Sequence, residues 1–175
     1  MKIVLLGYMA SGKSSIGRRL SNLLSMNFLD LDDYISEQEN MTIPAIFAQK
    51  GEVYFRTIEH KYLKEVLQKE EDFILALGGG TPCYAGNMDS VNKDKNSVSI
   101  YLKGSTPTMI DRLIRKKAKR PLVASLDDDK IPEFVAKHLF ERRPFYEQAK
   151  QHISIDGKTK KEVAVEITAL FNQIR

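Results

Sequence analysis

Apolar residues gather along this chain in short, nearly unbroken runs, separated by longer stretches with a helical period. The runs fall at residues 2–6, 28–31, 73–77, 98–102 and 152–155. Unbroken runs, as opposed to strict alternation, mark strands covered on both faces, as in a parallel sheet. Between them the spacing predicts a helix over 13–25, a second over 42–51 with Pro44 in its first turn, and a long third over 52–69. The third places Val53, Ile58, Tyr62, Leu63, Val66 and Leu67 on one broad face. Thr106 and Pro107 read as a cap followed by a first-turn proline, opening a helix through Arg115. Two further helices are predicted between Ile131 and Ala149, divided near Pro144, and a last one over 160–174. Strand and helix in alternation specify an α/β fold with a parallel sheet and right-handed crossovers.

Composition narrows the class. A chain of 175 residues, 42% hydrophobic and 29% charged, with no repeat or linker, suits one domain over 1–175 with one core. The net charge of +4 falls well short of a nucleic-acid-binding tail, and the first apolar run is too short to span a membrane, so neither partner is expected. The lone cysteine, Cys83, forms no internal disulfide. It is read as a small buried apolar residue, and its isolation points to a reducing, cytoplasmic setting. His60, His138 and His152 lack metal-ligand spacing and are read as surface or packing residues.

Candidate chemistry begins at the first strand. Residues 7–14, Gly-Tyr-Met-Ala-Ser-Gly-Lys-Ser, fit G-x-x-x-x-G-K-[ST] with a strand before and a helix after. Such a loop turns backbone N–H groups, here over Ala10, Ser11, Gly12, Lys13, Ser14 and Ser15, and a helix N-terminus toward phosphates. Lys13 then reaches the β- and γ-phosphates, and Ser14 ligates Mg²⁺. A chance glycine-rich turn is the competing reading, and the strand–helix context disfavours it. A switch GTPase is excluded by the absence of D-x-x-G, and the strand over 73–77 ends in Gly78, Gly79 and Gly80 where a motor ATPase would carry an acid.

The acceptor side is less specific. Asp30 and Asp32 close the second strand, where alternation would point both carboxylates the same way, at the sheet end where ligands bind. One would hold Mg²⁺ or its waters and the other accept a hydroxyl proton. The competing reading is a solvated turn with capping aspartates, Asp33 among them. Arg56 is placed either to grip a substrate carboxylate bidentately or to pair at the surface with Glu59. The three glycines at 78–80 allow close approach of a ligand or form a plain flexible turn. Six basic residues lie between Arg112 and Arg120, followed by Asp127, Asp128 and Asp129. A solvated face, a nucleic-acid patch and a mobile lid over 112–129 all fit such a run; phosphate handling favours the lid. Arg142 and Arg143 sit at the helix break expected near Pro144, where one points inward.

Together these residues resemble the shikimate kinase family along nearly the whole chain. The likeness is carried by residues 7–14, Phe28 to Asp32, Ile46-Phe47 through Gly51-Glu52, Phe55-Arg56 with Glu59, the three glycines, Arg120-Pro121-Leu122 and Arg142-x-Pro-x-Tyr. The resemblance implies a three-layer P-loop kinase fold with a five-stranded parallel sheet, an acceptor-binding helical region over 32–62 and a lid. It implies transfer of the γ-phosphoryl group of MgATP to the 3-hydroxyl of shikimate by a monomer. Asp32, Arg56, Gly79, Gly80 and Arg142 would hold shikimate, with Phe47 and Phe55 lining the pocket. Lys13, Asp32 and Arg120 would carry the catalysis, Ser14 and Asp30 the metal. Arg120 would also contact ATP phosphates, and Arg112 is similar to the family's adenine-stacking arginine. Ala10 stands where many relatives have glycine. The rivals are a kinase of the same fold acting on gluconate or a nucleoside monophosphate, and a nucleotide-binding regulator without catalysis.

Overall fold

The structure, a computed structural model, describes residues 1–115 and 121–174. Arg120 and the basic residues at 116–119 lie outside the described residues. Five parallel strands form the sheet: β1 (Lys2–Leu6), β2 (Asn27–Asp30), β3 (Phe73–Ala76), β4 (Ser97–Lys103) and β5 (Gln151–Ser154), in the order β2-β3-β1-β4-β5. β1 is central, in register with β3 through Ile3 opposite Ile74 and with β4 through Ile3 opposite Val98. All five of its residues are buried, as the unbroken apolar run predicts. The strand order reverses beside β1, so the carboxyl ends of β1, β2 and β3 open onto one crevice.

Among the described residues eight α-helices surround the sheet: α1 (Lys13–Leu24), α2 (Leu31–Glu39), α3 (Ile43–Leu67), α4 (Asn87–Lys93), α5 (Thr106–Arg115), α6 (Pro121–Ala124), α7 (Ile131–Tyr146) and α8 (Lys160–Ile174). They frame the described residues around one continuous apolar core. α1 lies on α8 and presses Gly17 onto the Phe28 ring so closely that a Cβ there would meet Cε2 at 2.2 Å. Among the described residues no helix is long and apolar enough to cross a membrane.

Three helices, α2, α4 and α6, were not expected from the sequence. α2 follows β2 with no loop, because Asp30 is both the last strand residue and the N-cap that accepts from the Asp32 N–H. Within α3 the boundary expected at Gly51 is present: with φ 81° and ψ 172° this residue is not helical and parts two helical segments. α7 runs through Pro144 without dividing. The proline removes one N–H from the ladder. The carbonyl left without that partner belongs to Phe140, whose side chain is 82% exposed, so the turn lies at the solvent-facing side of the helix.

Candidate active site

The loop after β1 gets its shape from three left-handed residues. Gly7 has φ 144°, Ala10 φ 63° and Gly12 φ 102°. At Gly7 a Cβ would come within 2.9 Å of the Leu102 carbonyl, so glycine is needed for space as well as for backbone. Lys13 Nζ donates to the carbonyls of Gly7 (2.8 Å) and Tyr8 (3.0 Å), which places its charge over the loop. Arg112, in the last turn of α5, donates to the Ser11 carbonyl (3.0 Å) and the Ile155 carbonyl (3.3 Å) and ties the loop to the end of β5. Ser15 Oγ lies 3.1 Å from Lys160 Nζ.

Ser14 Oγ donates to Asp30 Oδ2 at 2.7 Å, while Asp30 Oδ1 accepts the Asp32 N–H at 3.2 Å. This corrects the reading of the two aspartates. They do not alternate along a strand; Asp30 ends β2 and Asp32 lies in the first turn of α2, and the cap brings them together. Asp30, not Asp33, is the cap. Ser14 and Asp30 supply hard oxygen donors beside the phosphate loop, a set that fits Mg²⁺ bound chiefly through nucleotide phosphates and water. Among the described residues no group of three or more His, Cys, Asp or Glu gathers as a metal site of its own.

Beyond Asp32 opens a cleft of about 920 Å³. Asp32 lines it, and burial, then the nearby Asp30 and Glu59 charges, push its carboxyl up to about 6 against the pull of Lys13. The three glycines form the wall where the functional side chains converge. A Cβ at Gly78 would stand 2.9 Å from Asp32 Oδ1, one at Gly80 2.8 Å from Arg56 Nη2, and one at Gly79 3.5 Å from Arg142 Nη1. The close approach expected there is therefore made by the protein's own side chains.

Arg56 is no surface partner of Glu59. Its Nη1 donates to Glu59 Oε2 at 2.9 Å, and Glu59 is 1% exposed, with its other oxygen accepting from Thr81 Oγ1 at 2.6 Å. The guanidinium stacks 4.0 Å above the Tyr84 ring. A buried carboxylate on one side and an aromatic face on the other fix its plane, and Nε and Nη2 make longer bonds to Glu52 Oε1 (3.4 and 3.5 Å) at the cleft wall that Arg56 lines. Phe47 and Phe55 line the cleft with ring centroids 4.5 Å apart.

α7 contributes a stripe of stride four: Phe134, His138 and Arg142 line the cleft, and Tyr146, the next in the series, donates its hydroxyl to the Gly79 carbonyl at 2.6 Å. Arg142 is thus the inward arginine; Arg143 lies on the far face with Phe140 and Pro144. His138 is not a surface or plain packing residue, since Nδ1 sits 3.0 Å from the Tyr8 hydroxyl. The sequence reading also passed over Met9, Tyr84 and Phe134 in the cleft wall. The four-residue stride leading up to Arg142 was the available signal for Phe134 and His138. Cys83 is only partly buried, and burial pushes its thiol up to about 11, far from a reactive thiolate.

A phosphate loop on a sheet of order 2-3-1-4-5, facing an arginine-flanked cleft, defines a P-loop phosphotransferase. A sequence profile described as shikimate kinase matches residues 9–172. The shikimate kinase of Flavobacterium psychrophilum is 50% identical over 95% of this chain and 96% of its own length. The solved shikimate kinase of Bacteroides thetaiotaomicron superposes with a TM-score of 0.89 at 30% identity, covering 98% of each chain. That of Acinetobacter baumannii, solved in complex with shikimate, superposes at 0.86 with 31% identity over 99% of this chain and 94% of its own. The chain belongs to the shikimate kinase family, whose members are ATP-dependent phosphotransferases.

Proposed function

We propose that this chain transfers the γ-phosphoryl group of MgATP to the 3-hydroxyl of shikimate, with its two substrates divided between the two sides of Asp32. The observation that carries this reading is the convergence of Asp32, Arg56 and Arg142 on the glycine wall, one carboxylate opposite two guanidinium groups in one cleft. Shikimate is a polyhydroxylated carboxylic acid. Its carboxylate suits Arg56 and Arg142, and its ring hydroxyls suit Asp32.

The phosphate loop holds the triphosphate through its backbone N–H groups, and Lys13 neutralises charge on the transferred and leaving oxygens. Arg112, bonded to the loop and to the end of β5, stands where it can cover the base. Arg120 belongs to this proposal from its sequence alone. Ser14 and Asp30 would hold Mg²⁺, which would supply neutralisation of the triphosphate charge. Asp32 orients the attacking hydroxyl and takes its proton. With a pKa near 6 it is a better base than an ordinary aspartate and is still ionised at neutral pH. Phosphoryl transfer has a loose transition state, so orientation by Asp32, Arg56 and Arg142 contributes more than proton removal.

Release of ADP from MgATP, followed with shikimate, with gluconate and with no acceptor, tests the reading. Turnover should appear with shikimate alone. Equal turnover with gluconate removes the acceptor assignment, and no turnover with any acceptor removes the kinase.

A further inference from the structure

His138 occupies a place that its family membership does not explain. It lies one helical turn before Arg142 and one after Phe134, on the cleft-facing stripe of α7. Nδ1 is 3.0 Å from the Tyr8 hydroxyl, and the ring stands edge-on to Tyr8 and tilted against Phe134. Tyr8 is 1% exposed, and burial holds its hydroxyl protonated far above the usual range. A buried phenol that accepted from Nδ1–H would leave its own proton unbonded, whereas one that donates to Nδ1 is satisfied. Donation fixes the other tautomer, with the proton on Nε2. With Nδ1 turned to Tyr8, Nε2 is the ring nitrogen left for the cleft. Burial and the Arg142 charge hold the imidazole down to about 4, so at neutral pH it is an uncharged donor.

We propose that His138 is a specificity-determining hydrogen-bond donor to the acceptor, set in its Nε2–H form by the Tyr8 hydroxyl and sharing the acceptor's carboxylate end with Arg142. The inference rests on the cleft being the shikimate site. It also gives Tyr8, a residue of the phosphate loop, a task on the acceptor side.

The test measures KM for shikimate and for MgATP separately, with kcat, in His138→Leu, His138→Gln and Tyr8→Phe. A neutral donor to a carboxylate is worth enough that His138→Leu should raise the shikimate KM roughly tenfold, with the MgATP KM held within about twofold. Glutamine places an amide N–H at similar reach and should restore most of the affinity. Tyr8→Phe should raise the shikimate KM about threefold in the parent and not at all beside His138→Leu, because its effect runs through the ring. An unchanged shikimate KM in His138→Leu overturns the proposal, as does a glutamine variant as impaired as the leucine one, or an equal rise in both KM values. Arg142→Ala is the control. If it raises the shikimate KM while His138→Leu does not, only the role of His138 fails; if it too changes nothing, the acceptor reading of the cleft fails with it.

Discussion

The two sides of the cleft are built in different ways. The phosphate side lies almost wholly within residues 7–14, one turn between β1 and α1, and works through backbone N–H groups, three left-handed residues and one lysine. The acceptor side takes Asp32 from α2, Arg56 and Glu59 from α3, the glycines from the turn after β3, and His138 and Arg142 from α7. The first depends on local conformation. The second depends on tertiary placement, and its tolerances are set by how closely side chains approach the glycine wall. Substitutions on the two sides should therefore fail differently, one in turnover and the other in acceptor affinity.

The largest effect is expected at Lys13, the one side chain the phosphate side cannot spare. Lys13→Ala should lower kcat by about a thousandfold or more while the circular dichroism spectrum stays that of the parent. Near-normal turnover would take the loop out of the chemistry.

Asp32 sits on the boundary and should show both kinds of failure. Asp32→Asn should lower transfer on the order of a hundredfold or more with MgATP affinity preserved, whereas Asp30→Asn should raise the Mg²⁺ concentration required. Impaired MgATP binding in Asp32→Asn, with normal turnover at saturation, would reverse the division between the two aspartates. The same substitution has a consequence for stability. The folded carboxyl keeps its proton up to about 6 against 3.8 for an ordinary aspartate, so between those values the folded state binds more protons. Stability from this group falls as pH rises through that window and stays low above it, by up to about 3 kcal/mol. His138 titrates in the opposite sense: its folded value near 4 lies below the ordinary 6.5, so its contribution is lost as pH falls. Urea unfolding with a chelator present, at pH 4 and pH 7, should show Asp32→Asn gaining over the parent at pH 7 and not at pH 4.

On the acceptor side, Gly80→Ala should raise the shikimate KM about tenfold, because the new methyl would stand 2.8 Å from Arg56 Nη2 and push the guanidinium off Glu59. Gly79→Ala, whose nearest neighbours lie at 3.4 and 3.5 Å, should cost less. Equal KM values for the two would mean that the wall yields. The smallest effect is expected at Ala10. Its φ of 63° carries left-handed strain of about 1 kcal/mol, which glycine would relieve while adding nearly as much unfolded-state entropy. Ala10→Gly should shift the melting temperature by no more than a few degrees.

The same contrast decides how much could be read from the letters. The phosphate loop was legible because its parts are contiguous, and the strands because parallel pairing buries both faces and leaves unbroken apolar runs. α2 was missed because it starts on the last residue of β2 and carries acids in its first turn, which read as a loop. α4 has only seven residues and a largely polar sequence. Pro144 was read as a break because the rule against interior proline takes no account of a position on the exposed face of a helix, beside Phe140. On the acceptor side Asp32 and Arg56 stood out as candidates by residue type and position, Arg142 only as one of a pair with Arg143, and the resemblance singled out Arg142 and gave the three their common substrate. Glu59 was named as a partner of Arg56 but at the surface, and Tyr8 against His138 was not found, since burial and the far end of a hydrogen bond leave no mark on a single sequence.

The four-residue stride of α7 also limits how this protein can change in length. Each helical residue turns the chain by about 100°, so inserting or deleting one residue between Phe134 and Tyr146 would swing every later member of the stripe off the cleft. A change between His138 and Arg142 would cost those two their common face, and a change anywhere in the span would make Tyr146 release the Gly79 carbonyl. A length change in the turn at Asp127, Asp128 and Asp129, ahead of the helix, leaves the stripe in phase. Descendants of this chain are free to lengthen or shorten before Ile131, while inside α7 they can only exchange one residue for another.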